Sequence, residues 1–243
     1  MPRLLLMGDI VLRCQRRSDM EGNSVLSTPE WKALISEQYA QLYGIVVKSG
    51  MRYFETTATI IATGATSYAL PSDHDETIGI DRVMDSLGRK VQLGEMMVQE
   101  RNAWSGQTAD AVAYSLVGQT IVFFPRPTTG TYQHVYVAQS PDISAYADTA
   151  TVDVVTGDGE AFLIWGVAAK ALPKTESDTT SAVQEREAAS LRFADDVQMR
   201  ALVNPRRRIV MRGGGNGGGW GGENGGFGGD VDWTGIDGGW WNH

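Results

Sequence analysis

The side chains of this chain that could perform chemistry are few and scattered: His74, His134 and His243, the single Cys14, and one dense acidic run, Asp73 to Glu76 in "SDHDE". A metal centre needs imidazole, thiolate or carboxylate ligands clustered at short spacing, and neither the histidines nor the lone cysteine supply that pattern. The acidic run follows Pro71; it reads as a solvated loop, with weak cation binding as the other option. A nucleophilic triad can converge from distant positions, yet no G-x-S-x-G elbow is present to strain a serine into place. No catalytic residue, cofactor or metal is expected, and the chain reads as non-enzymatic.

The last stretch points to binding. From Gly213 to His243 the chain is glycine studded with Trp220, Phe227, Trp233, Trp240 and Trp241. It contains no lysine followed by Ser or Thr, so it is not a phosphate-binding loop. Glycine loses the most backbone entropy on ordering, so this segment cannot fold alone around so few apolar groups. Two readings stand: a dispensable end, or a tether whose indoles bury in a groove on a partner, since tryptophan is enriched among interface hot spots. Arg206, Arg207 and Arg208 precede it as a local basic patch, fitted either to complement a helix dipole or to dock. A ring-and-arginine RNA-binding segment is disfavoured, because beyond Arg212 the charges are Glu223, Asp230, Asp232 and Asp237.

The whole chain has 243 residues, a formal net charge of −8 and a pI near 4.9, which argues against wrapping a polyanion but allows an acidic wall past which DNA slides. One cysteine excludes an internal disulfide. No apolar run approaches the roughly 20 residues that span a bilayer. The opening "MPRLLLM" is far shorter than a secretory apolar region of about 7 to 15 residues, so synthesis in the cytosol is expected.

Periodicity supplies the elements that must carry these features. "MGDIVLRCQRRSDM" places Ile10, Val11, Cys14 and Arg17 at helical spacing. "STPEWKALISEQYAQLYGIVVKSG" gives a stronger helix, with Thr28 as cap, Pro29 in the first turn and a stripe of Trp31, Leu34, Ile35, Gln38, Leu42, Ile45 and Val46. From Met51 the period changes to that of strands. "YFETTATIIATGATSYALP" turns at Gly64, "TIGIDRVM" returns as "VQL", "AVAYSLVGQTIVFFP" folds back at Gly118-Gln119, and "TYQHVYVA" sets Tyr132, His134, Tyr136 and Ala138 on one face. A short helix is expected at "GEMMVQERNAW". Helical period returns in "DGEAFLIWGVAAKALPK", stopped by Pro173, and in "TSAVQEREAASLRFADDVQMRALVNP", capped by Thr180 or Ser181 and ended by Pro205. The expected fold is α+β: a helical bundle of residues 1–50 and 157–205, a small antiparallel barrel or sandwich of residues 51–156 inserted between, and an extension of residues 206–243.

Taken together these segments resemble the head-to-tail adaptor, or connector, proteins of tailed bacteriophages. The likeness rests on "RCQRRSDMEGNSVLSTPEWKALISEQYAQLYGIV", "TTATIIATGATSYALPSD", "ERN", the "L-x-G-x-x-I-x-F-x-P-x-P" hairpin and "AAKALPKTESD", in that order over about residues 8 to 203. The resemblance implies a helical bundle with an inserted β-domain. It also implies a ring of twelve copies beneath the portal protein, extending the DNA channel and presenting a platform for the next neck or tail protein. By the same likeness, the carboxy-terminal extension docks on the portal through Trp220, Phe227, Trp233, Trp240 and Trp241, with Arg206, Arg207 and Arg208 at its exit. The Gly-Trp composition departs from the family pattern, so the receiving partner is left open. A neck stopper or tail terminator with a tail-side partner is the alternative. A nucleic-acid-binding module and a hydrolase holding His74 or His134 against a carboxylate are the others.

Overall fold

In the computed structural model, residues 3–22, 25–84, 88–96, 104, 106–175 and 177–203 are described. The first element is a strand that periodicity did not reveal, β1 (Leu4–Leu6), which runs directly into helix α1 (Met7–Arg17). Three residues are too few to show an alternation. In α1 the buried side chains are Met7, Ile10, Val11 and Cys14. Arg17, expected on that stripe, is exposed, because a guanidinium loses its hydration unless it is paired inside.

Helix α2 (Thr28–Lys48) starts one residue away from the expected cap. Ser27 holds the N-cap position, and the Glu30 carboxylate accepts from both the Ser27 backbone N–H and its hydroxyl, each at 2.8 Å. Glu30 thereby satisfies a backbone donor that Thr28 leaves orphaned. Trp31, Leu34, Ile35, Gln38, Leu42 and Val46 are buried as the stripe requires, with Tyr39 and Tyr43 alongside.

The chain then enters strands β2 (Glu55–Ile61), β3 (Tyr68–Ala69), β4 (His74–Val83), β5 (Lys90–Gln92), β6 (Gly94–Glu95), β7 (Ala113–Val117), β8 (Thr120–Phe124), β9 (Thr131–Ala138) and β10 (Thr151–Asp153). Two four-stranded sheets result, in the orders β2-β9-β4-β5 and β3-β8-β7-β6, while β10 pairs with β1. The β7–β8 hairpin turns at Gly118-Gln119, where Gly118 takes φ +57° at no steric cost. At "GEMMVQERNAW" the expected helix gives way at its start: Gly94 and Glu95 pair in parallel with Ala113 and Tyr114. A stretch that opens on glycine joins a neighbouring edge as readily as it starts a helix. Residues 97–103, the rest of that expected helix, lie outside the described residues. This pair also makes the second sheet mixed instead of wholly antiparallel.

Helix α3 (Gly157–Ala171) is capped by the Thr156 hydroxyl, which accepts from the Gly159 N–H at 3.2 Å. Pro173 ends the α-helical ladder as expected, though a 3-10 turn of Leu172–Thr175 carries the chain on. Helix α4 (Thr180–Val203) is preceded by Asp178, whose carboxylate accepts from the Thr180 N–H at 2.9 Å and from its hydroxyl at 2.7 Å. The expected cap Thr180 is therefore itself held by the true side-chain acceptor two residues earlier.

Packing gives layers. α3 contacts each of α1, α2 and α4, whereas α1 and α4 make little or no contact with each other. One face of the β2-β9-β4-β5 sheet sends Ile78, Val135 and Val137 toward the helices. Its other face sends Ile80 and Tyr132 against Tyr114, Ile121 and Phe123 of the second sheet. Ile78 and Ile80 share strand parity and would point the same way in a regular strand. A bulge between Thr77 and Gly79 makes Ile78 the extra residue, so one strand serves two cores. The described residues thus form an α+β structure of four helices and several largely antiparallel sheets.

Two close approaches fix the helices. A side chain on Gly159 would meet the Val154 carbonyl oxygen at 2.2 Å, and one on Gly166 would meet the Gln38 amide carbon at 2.2 Å. Gln38 is fully buried, and neither its amide oxygen nor its nitrogen has a partner among the described residues. Val155, just before the α3 cap, takes φ +66°, a region a β-branched residue occupies only when its surroundings hold it there. Its burial in the helical core supplies that hold.

Candidate interaction surfaces

The arginines 206, 207 and 208 and the aromatics Trp220, Phe227, Trp233, Trp240 and Trp241, singled out as docking residues, lie outside the described residues. What the described residues do assemble is a set of charged helix surfaces and a partly buried polar cluster.

The cluster joins two of the scattered histidines. β4 and β9 are neighbours, and the Thr77 hydroxyl sits between His74 Nε2 at 2.8 Å and His134 Nε2 at 3.0 Å. Bulges on both sides of Thr77 turn it inward to this position. A hydroxyl has one proton to give, so it donates to one imidazole and accepts from the other, and the two rings differ in which nitrogen carries hydrogen. Tyr136 stacks on His134 with ring centres 4.9 Å apart, and its hydroxyl donates to Asp73 at 3.0 Å. Sequence separation concealed this meeting, since only the β4–β9 register brings the rings together.

The cluster lacks the form expected of a hydrolase. The carboxylate of Asp73 accepts from a tyrosine, and the imidazoles bond to a threonine that is 3 % exposed and out of reach of a substrate. Nearby, a cleft of about 540 Å³ is lined by Tyr39, Tyr43, Phe54 and Asp73, with neither imidazole in its wall. Among the described residues no group of His, Cys, Asp or Glu could hold a metal ion.

Burial, reinforced by His74, depresses His134 to about 4, against about 6.5 for an unfolded histidine. The unfolded chain therefore binds the extra proton between those values, and stability rises with pH across that window. It is complete above about pH 6.5 and is lost as the pH falls toward 4, with a slope of up to about 1.4 kcal/mol per pH unit from this group. Urea midpoints measured from pH 7 to 4.5 should fall less steeply in His134→Gln than in the parent; parallel curves would show that His134 is not the group responsible. Cys14 offers no comparable chemistry, because burial pushes its thiol far above the usual range.

A second polar focus lies at the start of α3. Glu160 is almost wholly buried, and the guanidinium groups of Arg3 and Arg13 close on its carboxylate. One turn on, the Arg17 guanidinium sits 4.8 Å above the Trp165 ring. These contacts tie β1 and α1 to α3 and leave an arginine-bearing edge on α1. None was visible in the sequence, where Glu160 and Trp165 were simply part of the helical segment "DGEAFLIWGVAAKALPK".

α4 faces two ways. Ala182, Ala189, Phe193, Val197 and Ala201 are buried, whereas Leu191, Met199 and Leu202 are exposed at 69, 66 and 72 %. Glu185, Glu187 and Asp195 share the exposed side. Helical period alone did not separate this exposed apolar row from the buried one.

The described residues thus form a helical layer on a two-sheet sandwich, with a half-buried polar cluster and with charged and apolar side chains exposed on the helices. A protein-family model, the SU10 adaptor protein, matches residues 7–212. The chain belongs to that family, the adaptors of phage particles. No curated protein matches the chain. Membership implies a structural role, interaction with phage portal and tail proteins, and a place at the virion neck. No helix among the described residues is long and apolar enough to cross a membrane.

Proposed function

We infer that this protein is a head-to-tail adaptor whose copies, twelve in number, form a ring beneath the portal, extend the DNA channel and offer a platform to the next neck or tail protein. The observation that carries this reading is the family match, which runs through both the helical layer and the β-sandwich. In this reading residues 1–50 and 157–205 are the bundle, residues 51–156 the inserted β-domain and residues 206–243 the docking tail. Arg206, Arg207 and Arg208 mark the tail's exit, and Trp220, Phe227, Trp233, Trp240 and Trp241 seat on the portal. Glycines let the backbone follow a narrow path, and buried indoles offset the entropy of ordering it. Genome DNA passes through the lumen without sequence-specific binding, in keeping with a formal net charge of −8.

The test is electron microscopy of the purified protein mixed with its cognate portal, full-length against a chain ending at Arg212. The full chain is expected to add a ring and the shortened chain to add none. Rings from both would move the tail to another partner, and rings from neither would favour a stopper or terminator on the tail side.

A further inference from the structure

We propose that the outward face of α4 in one copy packs against the arginine-bearing edge of α1 in a second copy. The proposal rests on the ring reading and names the surfaces that would build it. On α4, Leu191, Met199 and Leu202 fall on the side opposite Phe193 and Val197, within about a third of the helix circumference at 3.6 residues per turn. Glu187 and Asp195 share that side with Leu191 and Leu202, and Glu185 flanks it near Met199. None of these three carboxylates makes an ion pair among the described residues, while Arg192, beside Met199 on the same side, is paired with Asp158. Largely exposed apolar side chains at repeated helical spacing are what a solvated face lacks and a covered one has.

The occupant follows from charge and from position. The complementary charge is on α1, whose exposed side carries Arg13, Arg16 and Arg17; Arg13 reaches Glu160, Arg16 pairs with Glu21 and Arg17 lies over Trp165. Both α1 and α4 pack on α3 and make little or no contact with each other within one copy, so the two surfaces belong to separate elements of the helical layer. A contact between unlike edges is heterologous: each copy offers one of each, and repetition gives a ring when the rotation closes. A face-to-face dimer through α4 alone would bring two net-acidic faces together, which like-charge repulsion opposes.

Two charge-reversed full-length chains test this. One carries Glu185→Lys, Glu187→Lys and Asp195→Lys; the other carries Arg16→Glu and Arg17→Glu. All five side chains are exposed, and thermal melts report on folding separately. The α4 variant should match the parent, while the α1 variant gives up the Glu21 pair and the Trp165 contact and should melt a few degrees lower but remain folded at the assembly temperature. Ring formation with the cognate portal is counted by electron microscopy and mass photometry. Each variant alone is expected to need about tenfold more protein, or more, to assemble. Their equimolar mixture is expected to recover, because alternation sets every reversed surface against its complement or restores the native pair. Variants that assemble like the parent, or a mixture that fails to recover, would overturn the surfaces while leaving the ring reading intact. If the parent chain forms no ring with the portal, both fall.

Discussion

Gly159→Ala should unfold this protein several degrees earlier than any surface change. The added carbon would lie 2.2 Å from the Val154 carbonyl oxygen and 3.0 Å from the Phe193 ring. The first obstacle is backbone, and it cannot swing aside: the same carbonyl accepts from the Thr156 N–H at 2.7 Å, inside the turn held by Val155. Relief requires the first turn of α3 to move, which disturbs the Thr156 cap and the buried Glu160 with its two arginines. Overpacking of this kind costs about 3 kcal/mol. For a domain of this size that lowers the midpoint by roughly 6–12 °C in a thermal melt. A melt within a degree of the parent would mean that the α3 start is looser than its contacts indicate.

Gly166→Ala should also destabilise, by about 2 kcal/mol, but with a different remedy. Here the obstacle is a side chain, the Gln38 amide, whose carbon and nitrogen would lie 2.2 and 2.3 Å from the new methyl group. Gln38 is enclosed between α2 and α3 and cannot turn outward without opening that packing. Removing it supplies the room. Gln38→Ala alone should cost less than about 1 kcal/mol, because the packing lost is partly offset by deleting two unpaired amide atoms. Combined, the two changes should be milder than their sum by about 1–2 kcal/mol. Urea unfolding of the four chains measures that coupling, and strict additivity would show that Gln38 and Gly166 do not compete for the same space. The contrast is diagnostic: a compensating substitution exists at Gly166 and none exists at Gly159.

Neither glycine stands out in the sequence, and the reason is instructive. "GDGEAFLIWGVAAKA" reads as a helix apolar on nearly every face, and it is one, buried against three other helices. Which of its glycines are indispensable depends on what arrives from residues far away in the chain. The same holds for the functional surfaces. The apolar residues of α4 divide into a buried row and an exposed row only once α3 has claimed one side.

What the sequence by itself determined is local: the helix of Thr28–Lys48, the fold-back at Gly118-Gln119, the helices on either side of Pro173, and the order of helix and strand blocks. Each follows from periodicity, propensity and punctuation within a window of a few turns. The adaptor resemblance belongs with these, since it rests on short motifs in a fixed order and the family match bears it out. The docking residues of the tail were named from composition and from that resemblance. Tertiary structure decided everything that depends on distant pairing. It joined β1 to β10, set His74 and His134 against one hydroxyl, turned Ile78 away from Ile80 through a bulge, and buried Glu160 beneath Arg3 and Arg13. The physical reason is that strand register and helix packing are chosen by summed burial over many residues, a quantity that no short window of sequence contains.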